Sequence, residues 1–186
     1  MTQEGFIPKH GGYEKLLSYQ KAKIVYAGTV YFCEHFIDKF SRTRDQMIQA
    51  ACSGKQNIIE GSMASGFSKE TEIKLTGVAR ASLEELLEDY LDFLRLRGSE
   101  EWKPDSRFGK RLRELNRIPN NDYETFRRGI ENSDPEISAN VLIGLIRVTN
   151  FLLDRQVKKL EEEFLKEGGL RERMSAARRK RRSETP

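Results

Sequence analysis

The feature that most restricts the fold is a helical spacing of apolar residues that returns in four long stretches, with only 5 prolines in 186 residues to interrupt it. The first stretch runs from about Tyr13 to Asp38, after a Gly11-Gly12 break. Leu17, Gln20, Ile24, Ala27 and Tyr31 fall on one stripe, and the later half is apolar almost all round, so contacts are expected on several sides. The second stretch, about Thr43 to Gly61, spaces Met47, Ile48, Ala51, Ile58 and Ile59 helically. Its small residues Ala50, Ser53 and Gly54 let a neighbour approach, and Gly61 predicts a left-handed stop. The third opens at Ser68, a favourable N-cap, with Glu70 and Glu72 placed to complement the helix dipole. Leu75, Ala79, Leu83, Leu86, Tyr90 and Leu94 form its buried stripe, while Glu84, Glu85, Glu88 and Asp92 fall on a wet face. The fourth starts with Asp134-Pro135-Glu136, a cap, a first-turn proline and an acid. It carries Val141, Leu145, Val148, Leu152, Leu160 and Phe164 before Gly168-Gly169 ends it. At 1.5 Å per residue these helices are roughly 30–45 Å long. The expected fold class is therefore all-α, an antiparallel up-down four-helix bundle.

Between the third and fourth helices lies a long connection, 98–133, with Trp102, Phe108, Tyr123 and Phe126 in it and Pro104 and Pro119 as breaks. Aromatics at that density predict packing rather than a disordered linker. Short helices are expected over Arg107–Arg117 and Asp122–Ile130. The chain thus divides into a bundle over 13–167, with 98–133 inserted, and a basic tail over 168–186. The tail is read as flexible, helical at best in part, with its RRKRR run solvated. No internal repeat is visible.

Composition narrows the function classes. The chain is 37% apolar and 33% charged, and no stretch approaches the roughly 20 uncharged apolar residues that cross a bilayer. The longest apolar run, IVYAGTVYFC from Ile24 to Cys33, stops at Glu34. The start, MTQEGFIPKHGGY, has neither the basic end nor the apolar core of a signal peptide. The expectation is a cytoplasmic protein with no membrane partner. Cys33 and Cys52 form no CxxC and are read as reduced thiols. The net charge of +4 has an uneven origin. Residues 167–186 hold seven basic and three acidic residues of the chain's 33 and 29, which leaves 26 of each in the first 166. The excess lies in the tail.

Several chemistries are disfavoured by the residues themselves. SGKQ at 53–56 lacks the glycine five positions before its GK glycine and the Ser or Thr after the lysine that a phosphate loop needs. Carboxylate-bridged metal bundles need a Glu-x-x-His on each of two helices. The two histidines are His10 and His35, and Phe32 stands three before His35. No zinc set and no cofactor are implied. Nothing resembles a G-x-S-x-G elbow, so no catalytic residues are assigned and the chain is read as non-enzymatic. Asn57 and Glu60 share a helix face near the end of the second helix. They are read either as a polar pair that hydrogen-bonds the loop backbone at the turn into helix three, or as a ligand or subunit contact.

The stretch DQMIQAACSGKQNIIEG, the following SKETE and the later ARASLEEL carry a family resemblance. Together they resemble the bacterial four-helix-bundle proteins called 23S rRNA-intervening sequence proteins. Those have an Asn-Ile-x-Glu-Gly helix end, a Ser-x-Glu helix start and an Ala-Arg-x-Ser-x-x-Glu-Leu third helix. The likeness runs from about Tyr13 to Arg97 and resumes from Ile137. It implies that Asn57, Glu60 and Gly61 mark the corner between helices two and three, that Arg80, Ser82 and Glu85 belong to the third-helix motif, and that all six are architectural. It also implies a symmetric homo-oligomer, typically a homopentamer. One branch of the family comprises accessory proteins of diversity-generating retroelements, which engage nucleic acid and a reverse transcriptase. The inserted connection and the basic extension set this chain apart and place it nearest a variant called four helix bundle suffix domain proteins.

The resulting expectation is an oligomeric bundle that binds RNA, DNA or a nucleic-acid-associated partner. Arg178, Arg179, Lys180, Arg181 and Arg182 would contact phosphates without reading sequence. Lys15, Lys21, Lys23, Arg42, Arg44 and Lys55 are secondary candidates, or else a solvated face. The tail is alternatively a solubilising terminus. A different class of function is a protein-interaction scaffold, with Trp102 and Phe108 as anchors for a partner protein.

Overall fold

The structure is a computed structural model that describes Ile7 and residues 10–183. The start of the chain, read above as free of a signal peptide, and the last three tail positions, 184–186, lie largely or wholly outside the described residues. The described residues are all-helical. A short 3-10 turn, Tyr13–Lys15, precedes α1 (Leu17–Phe36), α2 (Arg42–Ala64), α3 (Lys69–Leu96), α4 (Arg107–Arg117), α5 (Tyr123–Ile130), α6 (Pro135–Glu167) and α7 (Leu170–Ser183).

The helix starts follow the capping chemistry in the sequence. The hydroxyls of Ser41, Ser68 and Ser106 and the carboxylate of Asp134 each accept a backbone N–H of the first turn they precede. Asp122 and Thr125 cap α5 reciprocally. The expected stop at Gly61 is corrected. Gly61 is buried in α2 where an added Cβ would lie 3.4 Å from the Glu72 carbonyl and from Leu75 Cβ, and the helix runs on to Ala64. The glycine serves close packing rather than a left-handed end.

The four long helices pack as a closed ring of neighbours: α1 on α2 and α6, and α3 on α2 and α6. Partners run in opposite chain directions. Ser18 bonds Gln156 while Gly28 faces Leu142 across α1 and α6. Lys69 bonds Glu163 while Glu84 accepts from Asn150 across α3 and α6. Two glycines let these helices approach closely, because a Cβ on Gly28 would lie 2.6 Å from Leu142 and one on Gly54 2.6 Å from Leu83. Tyr90 and Phe93 meet the buried Phe32 edge to face, Phe36 tilts against it, and the buried Tyr90 hydroxyl donates to Thr29 Oγ1 at 3.1 Å.

The stripe expected on α1 is displaced. Of the expected residues Ile24 is buried and Gln20 and Tyr31 half-buried, but Leu17 and Ala27 are exposed, whereas Ser18, Lys21, Ala22, Val25, Gly28, Thr29 and Phe32 are buried. Small residues suit this face because Leu142 and Ile130 reach across to fill it. The expectation that no stretch has membrane-spanning composition is also qualified. A window within Pro135–Ser183 has a mean hydropathy of 1.4, apolar enough by composition to cross a membrane, but 61% of it is buried against the other helices.

The insertion packs on the long helices of its own chain. At its start Arg147 grips Glu101 with two bonds of 2.6 Å, and the Trp102 N–H donates to Asn140 Oδ1 at 2.7 Å. At its end the Ser138 hydroxyl donates to the Ile130 carbonyl at 2.6 Å, tying α5 to the first turn of α6.

Candidate nucleic-acid interface

The expected flexible tail is helical over most of its length. Residues 170–183 include arginines, alanines, a methionine and a leucine, all strong helix formers, and the Glu172 carboxylate accepts the Gly169 N–H at 2.9 Å to close the first turn. Lys180, Arg181 and Arg182 stand in the last turn, where the dipole favours cations. No residue of α7 is buried. Leu170 and Arg173 are half-buried and the rest of the helix is exposed, so packing explains little of its charge. Seven basic residues and one acid in fourteen positions give it a net charge of +6.

The helix divides the RRKRR run between faces. Arg171, Arg178, Arg179 and Arg182 share one open side of the helix with Met174 and Ser175. Lys180 points to the opposite side, as its helical phase requires. On the open side Arg171 and Arg178 are about 10 Å apart along the axis, and Arg182 about 6 Å further on. Arg171 thus joins the set the sequence assigned to 178–182. Arg173 lies away from it, with Nε and Nη2 shielded from solvent and lacking a hydrogen-bond partner among the described residues.

The secondary candidates do not form one surface. Lys15 is exposed on the 3-10 turn and shares a groove with Arg155, Lys158 and Lys159 of α6. Lys23 and Arg42 are exposed on α1 and α2, and Arg44 is half-buried beside Cys33. Lys55 holds its ammonium 4.1 Å from the centre of the Tyr26 ring. Lys21 is a correction, for it is only 7% exposed. Its ammonium donates to Asn116 Oδ1 at 2.8 Å and Asn121 Oδ1 at 2.5 Å, and lies 4.7 Å from the centre of the Phe126 ring. Burial lowers its pKa from the usual 10.5 to about 8. It fastens the insertion to α1 and offers nothing to a phosphate.

The motif residues also separate. The Asn57 amide donates to the Ser53 carbonyl and hydroxyl, and Ser53 exchanges a 2.9 Å bond with Ser82 across α2 and α3. Arg80 donates to Asp154 on α6. Glu60 and Glu85 are exposed and have no hydrogen-bond or ion-pair partner among the described residues. The expected Asn57–Glu60 grip on the turn backbone is absent among the described residues, since Asn57 points back along α2.

A second basic element was missed in the sequence. α4 has five basic residues and one acid in eleven positions, a net charge of +4. Arg107, Lys110, Arg113 and Arg117 are exposed and lack a carboxylate partner among the described residues. The signal was present as a charge run, RFGKRLRELNR, but the acids around it hid it in the charge of the whole connection. Among the described residues no group of three His, Cys, Asp or Glu side chains stands close enough to hold a metal ion. The chain has no significant match among protein-family models, curated proteins or solved structures.

Proposed function

We propose that this chain is a non-enzymatic, cytoplasmic four-helix-bundle protein that binds nucleic acid through α7. The observation that carries the reading is an exposed helix of net charge +6 that buries none of its own residues and aligns Arg171, Arg178 and Arg182 on one side. Guanidinium groups spaced along one helix face suit the phosphate backbone and carry no sequence preference. The ring of α1, α2, α3 and α6, with opposed neighbours, supports an up-down antiparallel bundle as its scaffold. The interhelical bonds of Ser82 to Ser53 and of Arg80 to Asp154 support the architectural roles that the resemblance to 23S rRNA-intervening sequence proteins implies for them, and with that resemblance goes a homo-oligomer, a pentamer by analogy. Repeating α7 around such a ring would multiply its contacts.

The test is binding of labelled single-stranded RNA and duplex DNA, followed by fluorescence anisotropy across salt. Four to five phosphate contacts predict a slope of log affinity on log salt near about −4 for duplex. Replacing Arg171, Arg178 and Arg182 together by Gln flattens that slope by about 2.7. Binding that keeps its slope in the variant moves the contacts off α7. No binding at low salt by the unaltered chain sinks the reading and brings forward the interaction scaffold.

A further inference from the structure

The insertion sets aromatic rings into its basic surface. Trp102 and Phe108 stack with centroids 4.8 Å apart and planes 21° from parallel. Phe108 is 51% exposed, although a phenyl ring at the foot of an amphipathic helix could be expected to turn inward. The two rings line a groove of about 430 Å³, and Arg111 of α4 and Arg128 of α5 stand on its walls. No acidic residue lines it. Arg128 is exposed with no carboxylate partner among the described residues. Arg111 meets Glu114 at 3.2 Å, but both side chains are more than 60% exposed, and so solvated a pair leaves the guanidinium available. The flanking Arg107, Lys110 and Arg113 extend the positive field.

Flat rings beside guanidinium groups, with no carboxylate, match a ligand that is planar and anionic at once. We propose that the groove between α4 and α5 is a stacking site for a base of single-stranded nucleic acid, with Trp102 and Phe108 as the platform and Arg111 and Arg128 on the adjoining phosphates. The inference rests on the nucleic-acid reading and adds a contact of different chemistry, to a base rather than to the backbone alone. Paired bases are already stacked on their neighbours, so the site favours single strands over duplex. Charge complementarity selects the occupant: an apolar helix of a partner protein would leave the arginines on the groove walls without counter-charge. The groove reaches α6 at Val141, whereas α7 begins at Leu170, about 40 Å further along the helix axis. A very short oligonucleotide therefore cannot bridge the groove and α7, and Trp102 emission reports on the groove alone.

The chain has one tryptophan, Trp102, so its emission reads the site directly. The full chain is titrated with a labelled tetrauridylate, and with an abasic tetramer of equal charge, while emission and anisotropy are followed together. The expected result is quenching of Trp102 by the first and none by the second. Phe108→Ala lowers affinity for the base-bearing strand about 5- to 150-fold, the range that one stacked base supplies. Arg111→Gln with Arg128→Gln flattens the salt slope by about 1.4 and keeps Phe108 in place should Phe108→Ala unfold the insertion. Unmoved Trp102 emission, with anisotropy that rises equally for both tetramers, overturns the groove and leaves the α7 reading standing. No anisotropy change with these or longer strands at low salt overturns both. Quenching by polyglutamate but not by the tetrauridylate assigns the groove to an acidic protein segment and overturns the base-stacking proposal.

Discussion

Lys21→Met gives a measurement that separates burial of a charge from loss of its hydrogen bonds. In the native fold Lys21 is 7% exposed and is held by two asparagine oxygens and an aromatic face, none of which carries a full negative charge. Its pKa falls from 10.5 to about 8 because burial disfavours the ammonium. The unfolded chain therefore holds more protons than the native one between those values, and stability rises with pH across that window. At 1.36 kcal/mol per pH unit, the native protein carries at most about 3 kcal/mol of charge-burial cost at pH 7, relieved as pH climbs from about 8 to 10.5. Methionine has nearly the length but not the charge. Its cost, two asparagine oxygens left without a donor at about 1–3 kcal/mol each, does not vary with pH.

The assay is urea unfolding of both chains from neutral pH to about 10.5, reading the difference between them. Tyr19, Tyr90, Tyr123 and Cys33 all ionise less readily when folded, so each lowers stability as the alkaline range is entered. Those contributions are common to both chains and cancel in the difference. The unaltered chain is expected to gain on the variant, by up to about 3 kcal/mol, between pH 7 and the top of the range. Two curves that stay parallel refute the reasoning, for they mean that the ammonium is as well solvated in the native state as in the unfolded one.

Two further tests probe packing and reactivity. Gly54→Leu drives a side chain into Leu83 and is expected to cost about 1–3 kcal/mol or more in urea unfolding, whereas Gly77→Ala, on the exposed side of α3 with open space around it, adds about 1 kcal/mol. Equal effects at the two glycines contradict the close approach of α2 and α3. Alkylation with iodoacetamide, followed by peptide mass spectrometry, is expected to mark half-exposed Cys52 first. Cys33, buried and pushed up to about 12, reacts only on unfolding.

Helix existence was legible because apolar spacing and caps are local signals. Ser68 and Asp134-Pro135 mark the starts of α3 and α6, and both insertion helices fall within a residue of their expected bounds. The buried face of α1 was not legible. Periodicity weights large apolar residues, and Leu17 and Ala27 lose to Ser18, Ala22 and Gly28 only because Leu142 and Ile130 arrive from elsewhere in the chain. Lys21 failed for the same reason. Its two partners are 95 and 100 positions away, and no local pattern announces them. The α4 surface was hidden by averaging, since residues 98–133 hold eight basic and seven acidic residues. Only the helix boundaries isolate the +4 of α4 from the acids on either side.

That averaging bears on the strongest objection to a nucleic-acid role, the formal neutrality of the first 166 residues. Neutrality over a sum says nothing about a surface. α3 holds four basic and seven acidic residues, a net −3, while α4 alone is +4. On α3, burial and the neighbouring Glu85 and Asp92 push the Asp89 carboxyl up, the mark of an acidic face without full compensation. Charges beyond a Debye length of about 8 Å are largely screened at physiological salt, so a phosphate chain near α7 or α4 feels that helix far more than the sum over the body. On the proposed reading the acidic α3 face then acts as an exclusion, turning nucleic acid toward the two basic helices. Because α7 buries none of its own residues, its +6 also adds little self-repulsion to the packed core. On the same reading, high charge density is concentrated on a helix outside the packed core, where it least opposes folding and most readily meets a polyanion.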